Sequence, residues 1–345
     1  MGRFPRCHHR NRAAAFVLLL IIFAFRTFWQ RNSFSAYPIA IREDQETRST
    51  ATSIESLHQI KLPFTTHTTQ KIPKLIWTYW GGGITSEFVD ACVRGWILYN
   101  PDHKVTVIQA QTITDHINVP LPPLFYSNTF QAQSDWVRIA VLAAHGGIWL
   151  DASFIVTGSI NYIHERQESE QTEGFIFYLN GWTTIKEYPL YESWLISSVP
   201  NGQFITALLV EFTRAIDSGS LYLWNLKWAH GMEKYGRLIQ GNAMPSYCKI
   251  HVAMQKIIQI DGITLLTSEA AETAPAGPYQ YLAAMGWDAD RFCKLLLDPW
   301  VGDVPIFFKL RSHERAACEK KLISELPDKS SILGRFLDLS TNKRL

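Results

Sequence analysis

The stretch from Ser134 to Phe154, SDWVRIAVLAAHGGIWLDASF, limits what this chain can fold into more than any other part of it. Trp136, Val137, Ala140, Val141 and Ala144 recur at three- and four-residue steps, which predicts a helix with one apolar face. Asp135 and Arg138 lie off that stripe and are neighbours on the helix surface. Gly146 and Gly147 follow the last periodic residue, where a left-handed C-terminal cap is cheapest for glycine. Ile148-Trp149-Leu150 then reads as a short buried strand that delivers Asp151 to its C-terminal end. Ligands of open α/β sheets collect at that edge. One compact unit thus sets an acid and a base from a helix beside an acid from a strand tip. Two readings stand side by side: a functional site, or an exposed ion pair of little consequence with an aspartate that caps a turn.

The chain around this unit alternates in type. Lys74 to Trp80 reads as a strand with Pro73 at its start, and Gly81 to Gly83 as a loop. Ser86 to Leu98 is a helix with Phe88, Val89, Cys92 and Trp96 inward, and Val105 to Ile108 is a second strand. This β-loop-α-β order predicts an α/β fold with a largely parallel sheet. The triple glycine is not a P-loop, because no GK[ST] follows, and it is not GxGxxG. Further on, Phe154 to Val156 and Phe175 to Leu179 read as strands, with a polar, solvated excursion from Asn161 to Gly174 between them. Glu192 to Arg214 contains an apolar helix with Phe204, Ala207, Leu208 and Phe212 inward. Trp224, Trp228, His230, Tyr235 and Tyr247 form an aromatic crowd of the kind that fills cores. His251, beside Val252 and Met254, reads as a core or interface histidine. Pro305 to His313 is a strand followed by polar residues, and everything after Leu322 reads as a loosely attached tail.

The N-terminus has a separate logic. Residues 1–12 carry Arg3, Arg6, Arg10 and Arg12 without an acid, and residues 13–25 are uninterrupted apolar. That is a signal sequence or a signal anchor. A span needs about twenty residues; extending to Gln30 reaches a workable length if Arg26 snorkels to the interface, with Phe28 and Trp29 at the level of an aromatic belt. No A-x-A cleavage pattern follows, which favours an uncleaved anchor at 13–30 over a cleavable peptide, with residues 1–12 as a cytoplasmic tail. The expected layout is single-pass type II: Golgi in a eukaryotic cell, inner membrane in a bacterium. Residues 31–70 are Ser/Thr-rich and aperiodic, the composition of a stem. With 47% hydrophobic and 13% aromatic residues, the remainder (71–322, with 323–345 as the tail) is enough for one large domain. A net charge of +2 leaves no electrostatic footprint for nucleic acid. The five cysteines show no CxxC or Cys/His metal spacing, so the four after Cys7 either pair or remain free thiols.

SDxxR, an apolar helix and GGIWLDAS together resemble the core of the capsular-polysaccharide-synthesis group of glycosyltransferases, and are similar to the wider DXD sugar-transferase set that includes mannosyltransferases and glucosylating toxins. IPKLIWTYWGGG, Ile72 to Gly83, resembles the first strand of the same group, and the likeness runs on to PIFFKLRS, covering most of residues 71–315. The resemblance implies a GT-A-like, Rossmann-like single catalytic domain that moves a hexose from a nucleotide-sugar donor to a glycan, lipid or small-molecule acceptor with retention of configuration. It implies that Thr78, Tyr79 and Trp80 form the nucleotide pocket, that Ser134, Asp135 and Arg138 meet the donor, and that Lys309 and Ser312 meet its diphosphate. Phe130 and Gln133 are further donor-pocket candidates, and His313 or Asp303 further metal ligands. Asp151 is the expected ligand of Mn²⁺ or Mg²⁺, ions that prefer oxygen. Where the DXD set has a second acid this chain has Ser153, a neutral and weaker ligand; the capsular-type group itself resembles D-A-[ST], so the resemblance still implies a metal, either weakly held or met by Asp151 through a ligated water. The missing acid also motivates a rival reading, a non-catalytic nucleotide-sugar or carbohydrate-binding protein on the same fold.

Overall fold

A computed structural model describes residues 68–341 except 84, 184 and 219–247. The expected cytoplasmic tail, the anchor at 13–30, nearly all of the stem and the aromatic crowd from Trp224 to Tyr247 lie outside the described residues. Among the described residues no helix is long and apolar enough to cross a membrane.

The described residues build a sheet of order β2-β1-β3-β6-β5-β7. Strand β1 (Leu75–Trp80) pairs in parallel with β2 (Lys104–Gln109) and β3 (Gly147–Leu150). Strand β6 (Tyr191–Ser198) runs antiparallel to both β3 and β5 (Phe175–Tyr178), and β5 is parallel to β7 (Thr267–Ala270). The sheet is thus mixed, where the alternation predicted a largely parallel one. Because β1 and β3 point one way and β6 the other, Trp80, Asp151 and the start of β6 arrive at one edge. A second, two-stranded sheet pairs β4 (Phe154–Val156) antiparallel with β8 (Phe307–Lys309), with Phe154 opposite Lys309.

Period-two alternation splits the strand residues between two cores. Ile76, Ile148, Leu150, Phe175, Phe177 and Leu195 face one side, packed with helix α1 (Glu87–Tyr99) and the small sheet. Trp77, Trp149, Ile176 and Ile196 face the other, under helices α2 (Phe130–His145), α4 (Gln203–Ser218) and α5 (Lys249–Gln259). The result is a three-layer α/β/α body. Ser86 begins α1 as a cap, its side chain accepting from the Val89 amide.

Two expectations are corrected. Asn161 to Gly174 is not a solvated excursion: Asn161–Glu170 is helix α3, which buries Ile163 and Gln167, four residues apart on one face. Its polar side chains also find tertiary partners, Tyr162 and Arg166 on Glu269 and His164 on His103. Within Glu192 to Arg214 the expected helix is present as α4, with Phe204, Leu208 and Phe212 buried, and strand β6 precedes it. The tail is not loose. After α6 (Gln280–Ala284), α7 (Ala289–Leu297) and α8 (Ser312–Ser324), helix α9 (Ile332–Thr341) packs back on the core with Ile332, Leu333 and Phe336 buried. The Phe336 ring lies 6.0 Å from that of Phe88 and rests on Gly95, where an added Cβ would meet it at 3.2 Å. A disulfide joins Cys293 on α7 to Cys318 on α8, and Cys92 and Cys248 are free and buried.

Phe336→Ala is expected to cost about 3–5 kcal/mol, the usual loss for an emptied core phenylalanine. Urea unfolding checks it: an unchanged midpoint would return residues 323–345 to the status of a tail.

Candidate active site

Helix α2 positions the first two site residues. Thr129 caps it by accepting from the Ala132 amide, and Gly146 ends it at φ 64°. Gly147 follows at φ 98°, and a Cβ there would lie 2.7 Å from the Leu75 carbonyl oxygen, so the turn into β3 needs glycine twice over. Asp135 and Arg138 do not sit on the surface as the stripe suggested; each is only 3% exposed, because α2 is covered on nearly every side. Arg138 Nη1 donates to Asp135 Oδ1 at 2.7 Å, and its Nη2 donates to Asp151 Oδ1 at 2.7 Å. The guanidinium carbon lies 5.1 Å from the centre of the Trp149 ring, whose Nε1 also donates to Asp151 Oδ1, at 3.1 Å.

Lys309 completes the network from the far end of the chain. The β4–β8 pairing sets it opposite Phe154, and its Nζ donates to Asp151 Oδ2 at 2.8 Å. It is not surface charge but 5% exposed. Ser153 closes the same joint by donating its hydroxyl to the Leu310 carbonyl at 2.8 Å. Asp135, Arg138, Asp151 and Lys309 therefore form one alternating chain of acid and base. Burial raises the Asp135 carboxyl to about 6, with Arg138 opposing and Asp151 adding to the rise. Burial would also raise Asp151, but Lys309 and then Arg138 override it and hold it at about 2.

These four residues line a cavity of about 570 Å³ at the sheet edge, with Tyr79, Trp80, Ser134, Ser153 and Ser312 also on its wall. Tyr79 donates to Gln133 Oε1 at 3.1 Å, and the Arg315 guanidinium carbon lies 5.5 Å from the centre of the Trp80 ring. Thr78 does not reach the cavity: it is fully buried in the strand, where its hydroxyl has no partner among the described residues. Phe130, Gln133 and Asp303 are also off the wall, whereas Gln131 is on it. His313 lines the cavity but is paired with Glu314 at 2.6 Å.

Sequence reasoning missed part of the wall. Glu192 reaches it because β6 starts at the same edge, and His251 sits 3.5 Å from Glu192. His251 is therefore a cavity residue rather than only a core one. Burial works against its charge, but Cys248 and Glu192 beside it hold it up at about 10. Trp182, 51% exposed, together with Tyr279 and Arg311, adds to the lining. Only Arg311, two residues from Lys309, had a local signal.

The resemblance implies a divalent cation at Asp151 and Ser153, and the donor set does not fit one. Both Asp151 oxygens are already engaged by cations, and Ser153 offers only a neutral hydroxyl oxygen, a weak ligand that brings no charge. A divalent ion about 4 Å from the Lys309 ammonium would be repelled by roughly 8 kcal/mol at an effective dielectric of about 20. Nor do the described residues include a group of three or more His, Cys, Asp or Glu side chains placed so that it could hold a metal ion.

Residues 41–225, more than half of the chain, match the family model described as capsular polysaccharide synthesis protein. The chain belongs to this family. It is with that family a glycosyltransferase, as the SDxxR and GGIWLDAS resemblance implied. No curated protein matches it in sequence. Among solved structures it is similar to the PaToxG glycosyltransferase, at 14% identity over 69% of this chain and 94% of that one, with a TM-score of 0.33. The ligand-free glycosyltransferase domain from the YGT toxin gives 10% identity over 80% and 95%, with a TM-score of 0.37. The apo-form glycosyltransferase GlyE of Streptococcus pneumoniae TIGR4 gives 12% over 79% and 64%, with a TM-score of 0.32.

The raised Asp135 carboxyl gives this glycosyltransferase a pH signature. On the expectation that Asp135 meets a donor-sugar hydroxyl as a carboxylate, kcat/KM should fall on the acid side with an apparent pKa near 6. Asp135→Asn should remove that limb. The sign for stability is opposite: with its folded value above the unfolded one, Asp135 favours the fold most at acid pH, and that contribution is lost as pH rises through about 6.

Proposed function

We propose that this glycosyltransferase moves a hexose from a nucleoside diphosphate sugar to a hydroxyl of a glycan, lipid or small molecule, with retention at the anomeric carbon. The observation that carries the reading is the Asp135–Arg138–Asp151–Lys309 network on the wall of a cavity at the strand-tip edge. Asp135 and Arg138, fixed by burial, hold the donor-sugar hydroxyls, the guanidinium offering a rigid fork of donors. Tyr79 and Trp80 take the nucleotide base against aromatic faces. Lys309, with Ser312 and Arg311 beside it, meets the diphosphate. Asp151 is the keystone that aligns both cations, and the wall at Trp182 and Glu192 remains for the acceptor.

The same reading places the domain behind a type II membrane anchor at residues 13–30, in the Golgi of a eukaryotic cell or on the inner membrane of a bacterium. The Cys293–Cys318 disulfide supports an oxidising compartment on the far side of that membrane.

The full chain, offered a panel of nucleotide sugars with oligosaccharide and lipid acceptors, is expected to release nucleotide with at least one donor, and NMR of the product should show the donor's anomeric configuration. Asp151→Ala should lower the rate by about two to three orders of magnitude, the usual cost of losing one preorganised electrostatic group. Donor binding without turnover, unchanged in Asp151→Ala, would establish the non-catalytic alternative instead.

A further inference from the structure

A carboxylate recruits a divalent metal by offering free oxygens. Asp151 offers little: Oδ1 accepts from Arg138 and Trp149, and Oδ2 accepts from Lys309. Ser153, at the position where a second acid would stand, is a neutral hydroxyl that brings no charge for a divalent ion, and it donates to the Leu310 carbonyl at the β4–β8 joint. Positive charge is already present on the wall. Arg138, Lys309, Arg311 and Arg315 line the cavity together with His251, against the carboxylates of Asp135, Asp151 and Glu192, and Arg311 is already paired with Glu314. Two of these cations retain hydrogen-bonding capacity. An ammonium has three donors, and among the described residues Asp151 is the one hydrogen-bond partner of Lys309 Nζ. Arg138 Nε, buried, has no partner among the described residues.

We propose that the cavity binds its nucleoside diphosphate through these built-in cations, with Lys309 standing where a divalent metal otherwise does, so that neither donor binding nor transfer requires Mn²⁺ or Mg²⁺. The inference rests on the nucleotide-sugar reading of the cavity. In the transfer step the bond from the anomeric carbon to the phosphate oxygen breaks, and its electron pair goes to the diphosphate. The acceptor hydroxyl oxygen forms the new bond, and its proton passes to that same phosphate oxygen. Lys309 and its neighbours stabilise the negative charge that builds on the diphosphate in between. Lysine suits this place because its ammonium is a compact point charge, and the β4–β8 pairing fixes it before any ligand arrives.

Isothermal titration of the full chain with UDP, and separately with GDP, in excess EDTA and in excess Mn²⁺ tests this. The nucleotide that binds is expected to show the same Kd in both media within about twofold, and transfer should survive EDTA. Lys309→Met should weaken binding about tenfold or more, and Lys309→Arg should retain most of it, as for a hydrogen bond to a charged group; circular dichroism verifies the fold of each variant. Binding that appears only with Mn²⁺, or a folded Lys309→Met that binds like the parent, overturns the proposal and leaves the nucleotide-sugar reading standing. If Lys309→Met fails to fold, the comparison of EDTA with Mn²⁺ decides alone. Absence of UDP and GDP binding in both media sinks the nucleotide-sugar reading itself, and this inference with it.

Discussion

Asp151 is a half-buried carboxylate held between two buried cations, and much of the surrounding architecture serves to bring those cations to it. An unpaired charge in such a place would neutralise itself or unfold its surroundings. Here Arg138 arrives from a helix 13 residues upstream and Lys309 from a strand 158 residues downstream. Breaking one partner of a buried ion pair typically costs about 3–5 kcal/mol, because the other charge is left stranded. The network therefore ties α2, the tip of β3 and the β4–β8 joint into one electrostatic unit.

Apolar packing holds that unit in register. The rings of Phe154 and Phe177 both stack on Trp194, at 5.4 Å and 5.3 Å, and Phe307 lies 5.3 Å from Phe154. Phe154 and Phe307 belong to the two strands of the small sheet, so the aromatic cluster that cements the main sheet also anchors the strand carrying Lys309. The Trp96 indole donates to the Phe154 carbonyl at 2.7 Å, which ties α1 to the same strand. The residues that could do chemistry are thus presented by rigid strands and a buried helix, with loops contributing the rest of the wall. That is the condition for preorganised electrostatics.

A cavity that combines this network with Trp182, Glu192 and His251 has two kinds of surface to offer. Cations and a helix start suit the phosphate end of a ligand, and an aromatic face with an acid–histidine pair suits vicinal hydroxyls. The same edge collects both because β6 runs antiparallel to β3, so that its first residues, not its last, reach the ligand side.

The local grammar of the chain determined a good deal. The periodicity of α2, the glycine pair that ends it, the apolar run of β3 and the delivery of Asp151 to a strand tip follow from short-range rules of helix, cap and strand, and the structure has them where those rules put them. Family membership was legible in the same residues. What the sequence could not carry was anything set by contacts distant along the chain. That Asp135 and Arg138 are buried depends on the tip of β3, with Trp149 and Asp151, closing over a helix face that reads as polar. That Lys309 is an ion-pair partner and not surface charge depends on β8 finding β4. That α9 is core depends on Phe336 meeting Phe88. Helix and strand periods encode which side of an element is apolar; which other element arrives there is decided by the global packing of two cores, and burial, charge pairing and the fate of Ser153 all followed from that.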